Sequence, residues 1–411
     1  MRFAGSSFHQ GGVKTDCAVY IRVILGRKIG VASTNSLERS ALVHCLDRAL
    51  RIAEHVSEEG FPLLLPGPSV YADIGSYFVS TASMDDAEKV SVISEGFKRG
   101  EALGVLHSGI LSTSVGEIAV FNTNGVEAYH PYTSAFLSSI STGEGSSGFS
   151  SALSKDISSI DILDVMEESA DSCLKGMAPR DLATGVYRVL LEPPAVCELL
   201  HWLAYIGFGA KNYHEGSSFL SGRLGEKITG ENVTIYDDGA DPRGMAVPFD
   251  LEGVGKRKTM LIERGAASGV VYDTFTASLD GRGSTGHAPF PEDPEGPLPD
   301  HVFMEGGSCP RSEMVERLGE GIVVKSFHYV NGLLNPKQTL MTGMTRHGTF
   351  YVDNGKVLYP VRSLRFTENI LEAFGRIEEI SREVKVFPNH DLPLSSITAP
   401  YLLIDGFRFT G

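Results

Sequence analysis

The chain lacks the features that would place it in several broad classes. No window approaches the ~18 consecutive apolar residues that cross a bilayer, which excludes a membrane helix. The start MRFAGSSFHQGG has no basic segment followed by an apolar run, so no secretory signal is expected and a cytoplasmic location follows. Cysteine is scarce: five residues (Cys17, Cys45, Cys173, Cys197, Cys309), odd in number, scattered and without a CxxC pair. That pattern excludes a disulfide framework and a thiolate zinc cage, leaving reduced and mostly buried thiols. Positive charge is short as well, with 36 Lys and Arg against 51 Asp and Glu, a net charge of −15, and no basic cluster larger than Lys256-Arg257-Lys258. Such a chain repels phosphates overall, so no direct nucleic-acid binding is expected. Tryptophan occurs once, as Trp202.

What is present is an ordinary globular composition, 42% hydrophobic and 21% charged, over 411 residues. That length exceeds one typical core and predicts two domains. Residues 16–33, DCAVYIRVILGRKIGVAS, are β-branched and broken at Gly26-Arg27-Lys28, which reads as a hairpin. Asn35 with Glu38 resembles a capping box, and Leu42, Leu46, Ala49, Leu50 and Ala53 then recur at helical spacing. A second helix is predicted over 85–103, with Ala87, Val90, Ile93 and Phe97 on one face. Short alternating runs follow to about residue 140, with Asn124-Gly125 as a tight turn, which predicts an antiparallel meander. The small, polar STGEGSSGFSSALSK (141–155) reads as a loop or linker, and a helix over about 157–175 closes the first half.

In GVYRVLLEPPAV a β-branched run stops at Pro193-Pro194, where proline can open a helix. The boundary is placed there, giving domains of 1–192 and 193–411. CELLHWLAYIGFG is apolar on nearly every face and predicts a buried helix. After residue 228 the chain reads as short strands between glycine turns, VTIYDDG, KTMLIERG, VVYDTFTAS, GIVVKSFHYVNG and GTFYVDNGKVLYPV among them, interrupted by one helix near 367–380. The fold class expected is α+β: an N-terminal domain of helices and antiparallel strands, then a mainly β, curled domain with a buried helix at its start.

Several partial motifs fail on spacing. His214-Glu215 opens like a zinc-peptidase helix, but Gly216-Ser217-Ser218-Phe219-Leu220 supplies no second histidine. Gly281, Gly283 and Gly286 spell GxGxxG, yet APFPEDPEGPLP follows where a helix must begin. EGVGKRKT has Asp250 where a phosphate loop needs its first glycine, and GEGSSGF lacks the flanking glycines of a nucleophile elbow. His201, His287, His328 and His390 are scattered over the second half, and their convergence on a metal stays open at this level.

Read in order, RFAGSSFHQ, GRKIGVASTNSLERSALVHCLDRALRIAE, GVYRVLLEPPAV, SFLSGRLGEKI, YDDG, MLIERGAASGVVYDTFTA and STGHA resemble successive blocks of the TldD/PmbA metallopeptidase family, once named as modulators of DNA gyrase. The resemblance covers essentially the whole chain, although family members carry a helix and strand ahead of the RFAGSSFHQ block at which this chain starts. It implies two kinds of associating subunit. One carries HExxxH on a helix, an FSGRxG-like block downstream and a cysteine near the C-terminus as third zinc ligand; the other lacks these ligands. Counting back from Ser221-Gly222-Arg223 places the motif in LLHWLAYIG, where His201 matches the first histidine, Trp202 the glutamate and Ile206 the second histidine. Between Glu383 and Gly411 there is no cysteine.

The resemblance thus implies the metal-free PmbA/TldE type, with no catalytic or metal residue of its own. Zinc is then expected in a TldD-like partner, and an unfolded peptide is the expected substrate of the pair. His201 and Trp202 would face or support the cleft, with Ser221, Gly222 and Arg223 lining it. In isolation a homodimer is expected. Two alternatives stand beside this reading: a self-associated peptide-binding scaffold, and a peptidase whose metal site is built from the scattered histidines.

Overall fold

The computed structural model describes residues 1–59, 64–389 and 394–411. Strands β1 (Arg2–Ala4) and β2 (Ser7–Gln10) lead into a separate hairpin of β3 (Val19–Leu25) and β4 (Lys28–Thr34). Gly26 turns it at φ +62°, as its sequence predicts. Helix α1 (Arg39–His55) lies on this hairpin through Cys45, Ala49 and Ala53. The approach is so close that a Cβ on Gly30 would stand 2.0 Å from the Ala49 carbonyl oxygen, so only glycine fits. The capping box expected at Asn35 and Glu38 does not form: Glu38 is itself the N-cap and makes no side-chain cap. Its N–H donates instead to Ser36 Oγ at 3.2 Å. A true box occurs further on, after the short helix α2 (Val79–Ser83), where Asp85 and Glu88 open α3 (Asp86–Ala102).

Strands β5 (Leu106–Phe121) and β6 (Glu127–Gly143) form a long antiparallel pair turned at Asn124-Gly125. The segment expected as a linker, 141–155, is instead the end of β6 and a third strand, β7 (Ser146–Ser154), giving a five-stranded sheet in the order β2-β1-β5-β6-β7. The physical reason is the helix packed against it, α4 (Ile162–Lys175). A Cβ on Gly148 would lie 2.1 Å from the Ser169 carbonyl oxygen and 2.5 Å from the Cys173 nitrogen. The serines and glycines that read as a flexible stretch are the small residues a closely packed strand needs. Phe3, Ile93, Phe97, Leu111, Leu137 and Met166 fill the core of this half.

The second half continues with β8 (Gly185–Leu191), α5 (Pro193–Gly207), α6 (Ala210–His214), β9 (Ile235–Asp237), β10 (Thr259–Glu263) and β11 (Ala266–Ala267). It then runs through α7 (Thr274–Leu279), β12 (His301–Met304), α8 (Met314–Leu318), β13 (Gly321–Asn335), β14 (Leu340–Asp353) and β15 (Lys356–Pro360). It closes with β16 (Arg365–Asn369), α9 (Ile370–Phe374), β17 (Ile377–Pro388) and β18 (Ser396–Phe409). The strands make one sheet along β11-β10-β9-β12-β18-β16-β14-β13-β8, and β8 pairs with β18 as well as β13. That second pairing closes β18, β16, β14, β13 and β8 into a ring, the curled β structure expected. The fold class is α+β.

Three details differ from the sequence reading. Strand β8 pairs in the second sheet, so a boundary at 192/193 separates it from its partners, and we draw the boundary before Gly185. VVYDTFTAS is not a strand over its length: Asp273 accepts from the Thr276 N–H at 2.7 Å and caps α7. The helix expected near 367–380 is the single turn of α9, after which Ile377 begins a strand paired with β18. Both errors arise because short-range capping and long-range pairing outweigh local propensity.

Candidate functional site

Helix α5 starts with proline in its first turn, where a missing N–H is harmless. Val196, Leu199, Leu200, Leu203, Ala204 and Ile206 are all at most 3% exposed, packed in one core with residues of β8, β13 and β18. A single stripe of the helix escapes this core. Pro194, Glu198 and His201, spaced about one turn apart, line a cavity of about 300 Å³, and Cys197 of the core reaches it beside them. Its opposite wall comes from the first sheet, through Phe136 and Ile140 of β6 and Phe149 of β7. Phe327, Phe387 and Ile397 complete the apolar lining, and His328, Arg346 and His347 add polar groups. The cavity therefore lies between the two halves of the chain.

The junction is held by specific contacts. His347, a non-glycine residue at φ +56°, hydrogen-bonds through Nδ1 to Ser147 Oγ at 3.0 Å and stacks on Phe149. Burial, then the neighbouring Arg346 and His328, lowers the His347 imidazole to about 4, so it is neutral near neutral pH. Burial and Arg346 likewise lower His328. The exposed Arg346 guanidinium has no ion-pair partner among the described residues. At the same junction, Glu168 on α4 reaches the second half, accepting from Lys385 Nζ at 3.0 Å and from Ser150 Oγ at 2.8 Å. Burial raises the Cys197 thiol well above its ordinary value, so it is a packed thiol and not an activated nucleophile.

Of the residues singled out in the sequence, His201 and His328 line this cavity, with His201 Nδ1 2.8 Å from Asn389 Oδ1. Trp202 packs over Gly332, where a Cβ would stand 2.7 Å from the indole. Ile206 lies in the core. The turn Ser221-Gly222-Arg223 is elsewhere: Ser221 Oγ donates to the Tyr213 carbonyl at 2.9 Å, Gly222 sits at φ +77°, and Arg223 pairs with Glu226 at 2.9 Å. It braces the segment after α6 and contributes nothing to the cavity lining. His214 faces Asp280 at 3.0 Å. His390 lies outside the described residues. Sequence reasoning missed Phe136, Phe149, Arg346 and His347, none of which belongs to a spaced motif; the only local signal is His347-Gly348 inside a strand pattern.

A zinc set of the kind the resemblance implies does not fit α5, where one imidazole faces the cavity and the other two motif positions carry an indole and a buried alkyl chain. Among the described residues, one group brings three potential ligands together: Asp237, His287 and Asp300. His287 Nε2 lies 2.7 Å from Asp237 Oδ1, and Asp237 Oδ2 accepts from the His301 N–H at 2.6 Å. A cation is already built into this group, since the buried Lys256 ammonium donates to both oxygens of Asp300. Against the opposing effect of burial, Lys256 and His301 hold the Asp300 carboxyl far below the usual carboxylate range. The cluster is thus an ion network of the core whose cation is supplied by Lys256.

Comparison with known proteins agrees with this architecture. Residues 184–411 match the family model described as PmbA/TldA metallopeptidase C-terminal domain, and residues 1–53 match PmbA/TldA metallopeptidase domain 1. An uncharacterised protein of Methanocaldococcus jannaschii is 26% identical over 86% of this chain and 82% of its own length. The metalloprotease PmbA homolog of Haemophilus influenzae is 24% identical over 96% of this chain and 86% of its own. The crystal structure of TldE from Thermococcus kodakarensis superposes with a TM-score of 0.89 at 20% identity, covering 100% of this chain and 93% of that one, which establishes the shared fold. With more than half of its length matched by the C-terminal domain model, the chain belongs to the PmbA/TldD metallopeptidase family.

Proposed function

We propose that this chain is the non-catalytic subunit of a two-chain zinc peptidase, in which a TldD-like partner brings the metal and the catalytic glutamate. The observation that carries the reading is the state of α5. At the three positions where the family motif supplies ligand, base and ligand, only His201 presents a donor to the cavity, while Trp202 packs on Gly332 and Ile206 lies in the core. A catalytic zinc site needs three protein ligands and an open position. The described residues offer no alternative set at this cavity.

In this reading the subunit helps to enclose an unfolded peptide. Chain held in extended form can add to a sheet edge, and a closed chamber excludes folded proteins and bulk water. Strand β7 is such an edge, the last strand of the first sheet, and its Phe149 and Ser151 line the cavity. The zinc belongs to the partner, and the isolated chain forms a homodimer through the surface that otherwise meets the partner.

The test is reconstitution. The purified chain alone should leave an unfolded peptide intact, and adding a TldD-like subunit should yield a heterodimer in sedimentation with hydrolysis that a chelator removes. Chelator-sensitive hydrolysis by the single chain, or a homodimer untouched by excess partner, would refute the proposal.

A further inference from the structure

The cavity beside His201 has a chemistry of its own. Its lining is rich in apolar groups, four of them the phenylalanines Phe136, Phe149, Phe327 and Phe387. A volume of about 300 Å³ matches the lower end of small-molecule sites and suits one large apolar side chain with its backbone. Arg346, exposed, carries the positive charge and is without an ion-pair partner among the described residues. The two imidazoles beside it do not compete, because both are pushed toward the neutral form. Glu198 also lines the cavity, from α5, so Arg346 is the group that favours an anion there.

We propose that this cavity binds the carboxyl-terminal residue of a peptide, an aromatic or branched apolar one, with the side chain among the phenylalanines and the α-carboxylate on Arg346. Guanidinium and carboxylate match as a planar, bidentate pair. The apolar lining rewards a large side chain over glycine, and the exposed Arg346 supplies the counter-charge of the carboxylate. The inference takes the cleft of the reading above as its site and adds a terminal group and a side-chain class, so that the subunit would hold a peptide end while the partner's zinc acts elsewhere on the chain.

The single tryptophan supplies a reporter. Trp202 lies edge-on to His201 with ring centroids 5.9 Å apart, and His201 lines the cavity. The isolated full-length chain is titrated with N-acetyl-phenylalanine, N-acetyl-phenylalaninamide and N-acetylglycine, following Trp202 emission and, in parallel, calorimetric heat. The expected result is saturable binding of the first probe with a Kd of about 1 mM or tighter. The amide and the glycine compound should each bind about tenfold more weakly or worse.

Arg346→Gln should abolish the preference of acid over amide, and Arg346→Lys should retain part of it. Because Arg346 is exposed, both variants are expected to fold, and circular dichroism checks that they do. Equal affinity for acid and amide, a preference that survives Arg346→Gln, or no saturable heat or emission change up to about 10 mM would each overturn the proposal. Binding without complex formation would refute the subunit reading and leave this one standing. A chelator-sensitive complex whose subunit binds no acid would do the reverse.

Discussion

Glu168 offers the most direct test of how the two halves are held around the cavity. Its carboxylate sits 23% exposed at their junction, bonded to Lys385 and Ser150, with Arg311 at 3.5 Å. Burial alone would raise this carboxyl, but Lys385 and Lys325 outweigh it and hold the group at about 2 against an ordinary value of 4.5. A difference of that size corresponds to roughly 3 kcal/mol of stability, trimmed to about 2 by the remaining solvent screening. Glu168→Gln keeps the shape and the acceptor for Ser150 while removing the charge.

The sign follows from the depressed value. The stabilisation is complete above the unfolded-state value of 4.5 and is lost as pH falls through the folded value of about 2. Urea unfolding of parent and Glu168→Gln should therefore differ by about 2 kcal/mol near pH 7, by clearly less near pH 3, and hardly at all near pH 2. A difference that does not change with pH, or no difference near neutrality, would show that the junction does not depend on this charge.

Two further outcomes follow from the buried groups. Lys256→Met removes the cation that neutralises Asp300 and should destabilise the chain by about 3–5 kcal/mol, with Lys256→Met/Asp300→Asn recovering a substantial part; chemical unfolding measures both, and a loss under about 1 kcal/mol for the single variant would refute the ion-network reading. Elemental analysis of the purified chain should find well under one zinc per molecule, and a chelator should leave its melting temperature unchanged, because a structural zinc would contribute on the order of 10 kcal/mol.

The sequence by itself determined the parts of this protein that depend on neighbouring residues. Gly26 and Asn124-Gly125 place two hairpin turns because their backbone needs are local, and Pro193 opens α5 because proline fits a first helical turn wherever it occurs. The loss we propose for the α5 motif is also a sequence-level reading, since Trp202 and Ile206 cannot act as carboxylate and imidazole in any fold. Only the tertiary structure decided which residues surround His201. Phe136 and Phe149 come from the first sheet, Arg346 and His347 from β14 and Phe387 from β17, and no spacing rule links positions so far apart. It also decided that the serine-rich stretch after Gly143 is a strand, because α4 packs close enough to require small residues. The pairing of β8 with β18, residues such as Val189 and Ile404 side by side, closes the ring through contacts over 200 positions apart in the chain. Local sequence sets turns and helix starts; a cavity formed between two sheets exists only once both have folded and met.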